Sequence, residues 1–150
     1  MVTSYREWYI WYARAFWISG GKIVVNKCIV VVEDNLDMAS VLKRRLERRG
    51  FDVVECHNFD TAYNALQQPH VDLALCDIHL GEARNGLDLF NEVRINQGKK
   101  IPFIFLTGHG EGTEEVDRAV ASGAEAVFSK PMDFQIIISK VAELLGVSNL

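Results

Sequence analysis

The sequence has few cysteines, no excess of basic charge and no long uninterrupted apolar segment. Its formal net charge of -4 provides no basic surface for gripping a phosphate backbone, so direct nucleic-acid binding is not expected. The three cysteines, Cys28, Cys56 and Cys76, do not have the spacing of a metal site. Because their number is odd and they lie in or beside predicted strands, they indicate buried, reduced thiols and a cytoplasmic protein.

The first 26 residues differ in composition from the rest of the chain. Residues 4–21, SYREWYIWYARAFWISGG, contain three Trp, three Tyr and one Phe. Arg14 interrupts the apolar residues, no cleavage site for a secretory signal is clear, and the segment is too short and too charged to span a membrane. Two interpretations remain: an amphipathic helix on a membrane surface or a partner, or an upstream extension before a domain that begins near Lys27. We favour the extension. In the helical interpretation one face carries Trp8, Trp11, Tyr12 and Ala15.

From residue 27 onward the sequence alternates between strand patterns and helix patterns. Short β-branched apolar runs predict strands, and apolar residues at helical spacing predict the helices between them. Five strands that alternate with five helices predict a parallel sheet covered by helices on both faces. The predicted strands are 27–34, 51–56, 71–77, 101–108 and 124–130, and the predicted helices are 35–50, 60–68, 86–96, 113–123 and 133–146.

Side-chain positions within the helices are also predicted. Asp60 and Asp133 are expected to cap the second and last helices, because a carboxylate before the first turn can accept backbone N–H groups. Gly146 is expected to end the last helix. The inward face of the first helix is expected to carry Leu36, Ala39, Leu42 and Leu46.

Polar residues occur where the predicted strands end. In open parallel sheets, ligand chemistry gathers outside the carboxyl ends of the strands. The strand VDLALCD ends in Asp77, and burying this carboxylate costs several kcal/mol unless a cation or hydrogen-bond donor meets it. The other strand ends carry Glu33, Asp34, Thr107 and Lys130, so three acids, a hydroxyl and an ammonium are expected to converge at one edge.

Four stretches at these strand ends together resemble the receiver domain of response regulators, the phosphoacceptor module of two-component signalling. They are VVVEDN, LALCDIHLG, IFLTGHG and VFSKPMD, and the resemblance covers about residues 27–146. It implies a flavodoxin-like, doubly wound α/β fold with five helices and a five-stranded parallel sheet of order 2-1-3-4-5. The chain is thereby divided into an aromatic-rich extension (1–26), a receiver domain (27–146) and a short tail (147–150).

The resemblance also implies the roles of the acids. Asp77 would accept a phosphoryl group from a phosphohistidine on a sensor histidine kinase or a histidine phosphotransfer protein. Because a carboxylate and a phosphoryl group repel each other, Mg²⁺ is implied as the cofactor. Its ligands would be Asp34, Asp77 and the backbone carbonyl of His79, with Glu33 bound through water.

The remaining implied roles concern the phosphoryl group and the response to it. Lys130, aimed by a cis bond before Pro131, would pair first with Asp77 and then with a phosphoryl oxygen, and Thr107 would offer its hydroxyl. The protein would not be an enzyme in the usual sense, because it would phosphorylate itself and lose the group slowly. Phosphorylation would switch the region of the fourth strand and fourth helix.

Three departures from the family pattern modify these expectations. Gly81 replaces the usual Pro, and the stretch from Asp77 to Gly86 is one residue longer than usual, so the loop GEARNG is expected to be reshaped. Val127 replaces a switching aromatic residue, and alternation along the strand points Phe128 to the other face. We therefore expect a response centred on the loop from Gly108 to about Glu115, which contains Gly110 and Gly112.

Other interpretations remain open. Taken alone, Glu33 and Asp34 fit a plain helix cap shared with Asn35. An aspartyl-phosphate-forming phosphohydrolase would need an acid two residues after the nucleophile, where this chain has His79. A flavodoxin-like nucleotide or flavin binder would need a phosphate-cradling loop, whereas EDNLD is acidic. Only four residues follow Gly146, so we expect a stand-alone receiver or one separated from a larger protein, and dimerisation remains open.

Overall fold

Strands and helices alternate along the chain as predicted. The computed structural model describes residues 17–19, 22–24, 26–108 and 112–147. The strands are β1 (Trp17–Ser19), β2 (Lys22–Val24), β3 (Cys28–Val32), β4 (Asp52–Cys56), β5 (Val71–Asp77), β6 (Phe103–Thr107) and β7 (Ala126–Ser129). The helices are α1 (Leu36–Glu47), α2 (Phe59–Leu66), α3 (Gly86–Phe90), which continues as a π-helical segment (Asn91–Asn96), α4 (Glu114–Ala121) and α5 (Phe134–Leu145).

The five strands β3 to β7 form one parallel sheet in the order β4-β3-β5-β6-β7. Counted in chain order within this sheet, the order is 2-1-3-4-5, which confirms the predicted flavodoxin-like arrangement. β1 and β2 pair antiparallel with each other. The residues of the alternative amphipathic helix, from Trp8 to Ala15, lie outside the described part of the chain.

The sheet is covered on both faces. Strand alternation directs one set of side chains, such as Val30 and Phe105, towards a cluster that includes residues of α2, α3 and α4. The other set, such as Ile29 and Leu106, packs with residues of α1 and α5. Every residue of β3 and β6 is buried, as expected for central strands of a doubly wound sheet. No helix in the described ranges is both long enough and apolar enough to span a membrane.

The three cysteines are free and buried, as predicted. Burial raises the pKa of the Cys28 thiol to about 12 and that of Cys56 to about 11, so both stay protonated at neutral pH. Burial also raises the pKa of Cys76, whose S–H donates to the backbone oxygen of Asp77 at 3.1 Å. These thiols are packing residues.

Three helix predictions were wrong in detail. Leu36 was expected to face inward, but 62% of it is exposed: it is the first residue of α1, directly after the cap Asn35, and the buried face of the helix begins at Ala39. Asp60 is not the cap of α2: the extended Asn58 accepts the N–H of Thr61, and Asp60 lies in the first turn. The predicted helix 86–96 keeps its bounds but is π-helical over Asn91–Asn96. The predicted cap at Asp133 and the helix end at Gly146 are confirmed.

Candidate functional site

The ammonium group of Lys130 lies between two buried carboxylates at the carboxyl edge of the sheet. Lys130 Nζ is 2.6 Å from Asp77 Oδ2 and 2.7 Å from Glu33 Oε2. The backbone N–H of Lys130 donates to the carbonyl of Thr107 at 2.7 Å, which fixes the lysine beside the end of β6. The peptide bond from Lys130 to Pro131 is cis, as the family resemblance implied. The cation expected to meet Asp77 is therefore Lys130.

The three acids differ in exposure and in hydrogen bonding. Glu33 is 1% exposed and Asp77 is 5% exposed, whereas Asp34 is exposed to solvent. Glu33 uses both oxygens, because Oε2 binds Lys130 and Oε1 accepts the N–H of Asn35 at 3.2 Å. Asp77 Oδ1 accepts the N–H of His79 at 2.9 Å. Asp34 makes no side-chain hydrogen bond to any residue that the structure describes, so its carboxylate is the most available of the three.

The side chain that caps the first helix belongs to Asn35 and not to the acid pair. The carboxamide oxygen of Asn35 accepts the N–H of Met38 at 3.0 Å, and Asn35 has the extended backbone of an N-cap. The interpretation in which Glu33 and Asp34 serve only as caps is therefore wrong. Both acids lie next to the helix start, where its dipole favours negative charge, and Glu33 also accepts the N–H of the cap residue Asn35, but neither acid is the cap.

The buried charges shift each other's pKa. Burial raises the pKa of Glu33 above its usual value, and the charge of Asp77 adds to this effect, while the hydrogen bond from Lys130 opposes it. Burial by itself would lower the pKa of Lys130, but its hydrogen bonds to Asp77 and Glu33 outweigh burial and raise that pKa. Lys130 therefore stays an ammonium at neutral pH, and it holds together two carboxylates that would otherwise repel each other.

The acid cluster has the chemistry of a divalent-cation site. Glu33, Asp34 and Asp77 can each offer one oxygen such that the three oxygens lie within 4.8 Å of one another. Among the described residues no other three His, Cys, Asp or Glu side chains come this close. Hard oxygen donors with an excess of negative charge over one ammonium suit Mg²⁺. Thr107 is fully buried at the end of β6, and its role, like that of the His79 carbonyl, stays a prediction.

Strand alternation separates Val127 from Phe128 as predicted. Val127 packs against the cluster that contains Phe103 and Phe105, and Phe128 packs on the opposite face of the sheet. No aromatic ring therefore occupies the position of the family's usual switching residue.

One contact beside the site was not predicted. The imidazole Nε2 of His79 lies 2.9 Å from Glu115 Oε1, which joins the loop after β5 to the first turn of α4. The two residues are 36 positions apart, and neither belongs to a motif that would pair them. Only the folded arrangement reveals this contact.

Comparisons with known proteins all match this chain to the same protein family. The family model described as "Response regulator receiver domain" matches residues 29–142. The transcriptional regulatory protein CpxR of Escherichia coli (strain K12) is 31% identical over 127 residues, which cover 83% of this chain and 51% of that protein. The phosphate regulon transcriptional regulatory protein PhoB of the same organism is 30% identical over 118 residues, which cover 78% of this chain and 51% of PhoB. This chain thus spans about half the length of these relatives.

Solved structures agree with these matches. A response regulator from Burkholderia pseudomallei, determined with a phosphorylated aspartic acid, a calcium ion and citrate, has a TM-score of 0.68 and 30% identity, covering 77% of this chain and 66% of that one. The non-phosphorylated HemR receiver domain from Leptospira biflexa has a TM-score of 0.73 and 26% identity, covering 83% of this chain and 98% of that one.

The buried ion pairs predict a large effect of removing Lys130. In the presence of a chelator at neutral pH, Lys130→Met should lower the free energy of unfolding by about 3 kcal/mol, because two buried carboxylates lose their cation. The variant also loses the hydrogen bond that lowers the pKa of Glu33, so this pKa rises further above its unfolded-state value. The folded variant then binds more protons than the unfolded chain, so its stability deficit should shrink as the pH falls towards about 5.

Urea unfolding at both pH values measures this effect, with Lys140→Met as the matched control. Lys140 Nζ pairs at 2.9 Å with Glu143, which is exposed, so its removal should cost at most about 1 kcal/mol. Equal losses in the two variants, or a Lys130→Met deficit that grows as the pH falls, would contradict the assigned ion pairs.

Proposed function

Because the chain belongs to the response regulator receiver domain family, we propose that it is a phosphoacceptor in two-component signalling, with Asp77 as the acceptor. The observation that carries the proposal is the position of Asp77, which ends a central strand, is 5% exposed and lies 2.6 Å from the Lys130 ammonium. The donor would be a phosphohistidine on a sensor histidine kinase or a histidine phosphotransfer protein. We also propose a cytoplasmic location, because the described cysteines are free thiols.

The proposed transfer uses a small number of groups in turn. A carboxylate oxygen of Asp77 attacks phosphorus, the phosphorus–nitrogen bond of the donor breaks, and the new acyl phosphate remains on Asp77. Lys130 then moves its charge from the carboxylate to a phosphoryl oxygen, and the Thr107 hydroxyl donates to another. When bound, Mg²⁺ would neutralise the negative charge that Asp77 and the phosphoryl group share.

We propose different roles towards the cation for the three acids, because they differ in exposure and in hydrogen bonding. Asp34 is exposed and has no hydrogen bond to a described residue, so it is proposed as a direct ligand together with Asp77. For Glu33 we propose contact through water, as the family resemblance implies; both of its oxygens accept hydrogen bonds, but so do both oxygens of Asp77, so this engagement does not distinguish the two acids. The fourth proposed ligand is the carbonyl of His79, whose own N–H is bonded to Asp77.

The two alternative functions have weaker support. A phosphohydrolase of this type would need a second carboxylic acid two residues after Asp77, but His79 is there and its ring contacts Glu115. A nucleotide or flavin binder would need a phosphate cradle after β3, but that turn carries Glu33 and Asp34. We propose that the protein is no conventional enzyme and that it loses its phosphoryl group slowly. Turnover of a phosphomonoester, or a bound yellow chromophore, would favour one of the alternatives.

Phosphorylation of Asp77 alone is the first expected result. Incubation with acetyl phosphate and Mg²⁺ should add a single phosphoryl group by intact mass, and Asp77→Asn should abolish this addition because the nucleophilic oxygen is lost. Asp37→Asn, which changes an exposed acid in the first turn of α1, is the matched control and should be labelled like the wild type. Undiminished labelling of the Asp77 variant would exclude Asp77 as the acceptor.

Second, we expect Asp34 to contribute more than Glu33 to the affinity for Mg²⁺. Asp34→Ala removes a direct ligand and should weaken Mg²⁺ binding by more than about tenfold in a calorimetric titration. Glu33→Gln should weaken it less, because only a water-mediated contact loses charge. A larger loss for Glu33→Gln than for Asp34→Ala would reverse the proposed roles.

Third, we expect the structural response to phosphorylation to be centred on the loop that follows β6. Movement of Thr107 towards a phosphoryl oxygen should shift the segment from Gly108 to Glu115, of which residues 109–111 lie outside the described ranges. With Val127 in place of an aromatic ring, no large side chain has to rotate into the vacated space. Hydrogen exchange with and without beryllofluoride should change in this segment, and a change confined to the surroundings of Val127 would contradict the proposal.

A further inference from the structure

The loop after Asp77 is attached to the start of α2, and we propose that this attachment positions Asp34 and makes the site selective for Mg²⁺ over Ca²⁺. We call residues 81–85, which precede α3, the 81–85 loop. We call the contacts that Glu82 and Arg84 make with Phe59 and Asp60 the clamp. The inference rests on the proposed cation binding and concerns only what holds one ligand in place.

The clamp combines a hydrogen bond with ring stacking. Glu82 Oε1 accepts the backbone N–H of Phe59 at 2.6 Å, and the guanidinium carbon of Arg84 lies 3.8 Å from the centre of the Phe59 ring. Arg84 also forms an ion pair with Asp60, but Asp60 is 77% exposed, so this pair contributes little. Phe59 is 5% exposed and packs in the core, so the loop is fixed to a rigid point.

The other end of the loop lies against the exposed acid. Gly81 has φ +66°, and a Cβ added to it would be 2.9 Å from Asp34 Oδ2. A side chain at position 81 would therefore collide with this carboxylate, and the loop backbone bounds the space open to Asp34 on that side. Asp34 makes no hydrogen bond to a described residue, so we infer that its position depends on where the loop lies.

The composition of the loop explains why it needs a clamp. Proline at position 81 would fix φ near −65° by itself, whereas glycine leaves the backbone free to turn. The stretch from Asp77 to Gly86 is also one residue longer than the family pattern. Contacts to Phe59 therefore supply the restraint that the missing proline and the extra residue remove.

Restraint of one ligand affects the two cations unequally. Mg²⁺ demands near-ideal octahedral geometry at short distances, while Ca²⁺ accepts longer and irregular arrangements. A carboxylate free to move by a few tenths of an ångström would therefore penalise Mg²⁺ more than Ca²⁺. Glu82 and Arg84 are thus positioning residues, and selectivity is the property that reports their action.

For the Arg84→Ala variant, the clamp and simple electrostatics predict opposite changes in Mg²⁺ affinity. Removing a positive charge near an acid cluster should tighten cation binding, but loss of the Arg84 part of the clamp should raise the Mg²⁺ dissociation constant about tenfold. The Ca²⁺ constant should rise about threefold or less, because Ca²⁺ tolerates a mobile ligand. Arg84→Lys keeps the charge but loses the planar stacking surface, so it should give an intermediate Mg²⁺ affinity.

Titration calorimetry with MgCl₂ and with CaCl₂ provides the measurement, and thermal unfolding without metal checks that each variant is folded. Arg44→Ala is the matched control, because Arg44 is exposed on α1, makes no side-chain hydrogen bond or ion pair with the described residues, and carries the same charge. This control should leave the ratio of the Mg²⁺ and Ca²⁺ constants unchanged.

The outcomes separate this inference from the proposed function. If the wild type binds Mg²⁺ and accepts a phosphoryl group, but Arg84→Ala leaves Mg²⁺ affinity unchanged or weakens both cations equally, the positioning role is wrong and the function stands. If the wild type neither binds Mg²⁺ nor becomes phosphorylated, the proposed function itself fails. A selective loss of Mg²⁺ affinity in a folded Arg84→Ala variant supports the inference.

Discussion

The interaction on which the site depends is the contact of one ammonium with two buried carboxylates. Glu33 and Asp77 are almost fully removed from water, and each alone would be costly to bury as an anion. Lys130 bonds to both, at 2.7 and 2.6 Å, but its single charge cannot neutralise both of them and Asp34 as well. The edge of the sheet therefore keeps an excess of negative charge. That excess is what makes the site suited to a divalent cation.

The sheet order is what allows this contact. Glu33 follows β3, Asp77 ends the neighbouring strand β5, and Lys130 follows the edge strand β7, on the far side of β6. A long flexible side chain can cross that gap, and the backbone of Lys130 is bonded to Thr107 at the end of β6. The helix after β3 is capped by the side chain of Asn35, so Glu33 keeps one oxygen for Lys130 and the carboxylate of Asp34 has no hydrogen bond to a described residue. The fold thus leaves the polar groups at its carboxyl edge available for chemistry.

The sequence predicted the parts of this structure that depend on local pattern. Alternating apolar runs located the strands and helices, and strand ends identified the acids and Lys130, while the strand order came from the resemblance. Leu36 was misplaced because its spacing fits the buried stripe, whereas the buried face of α1 begins only at Ala39. The contacts of His79 with Glu115 and of Glu82 with Phe59 join residues 36 and 23 positions apart. No local pattern encodes such pairs, because they depend on how two loops meet after folding.

The site has two parts, and different contacts fix the position of each part. Glu33, Asp77 and Lys130 are fixed by mutual ion pairs inside the sheet edge, so their geometry is a consequence of the fold itself. Asp34 is exposed and makes no side-chain hydrogen bond to a described residue, and its carboxylate lies beside the backbone at Gly81, where a side chain would not fit. Under the inference above, a change in the 81–85 loop would alter the geometry of a bound cation while Asp77 and Lys130 stay in place. The position of Asp77 is set by the core, and we propose that the fit to a particular cation is set by a surface loop that can vary separately.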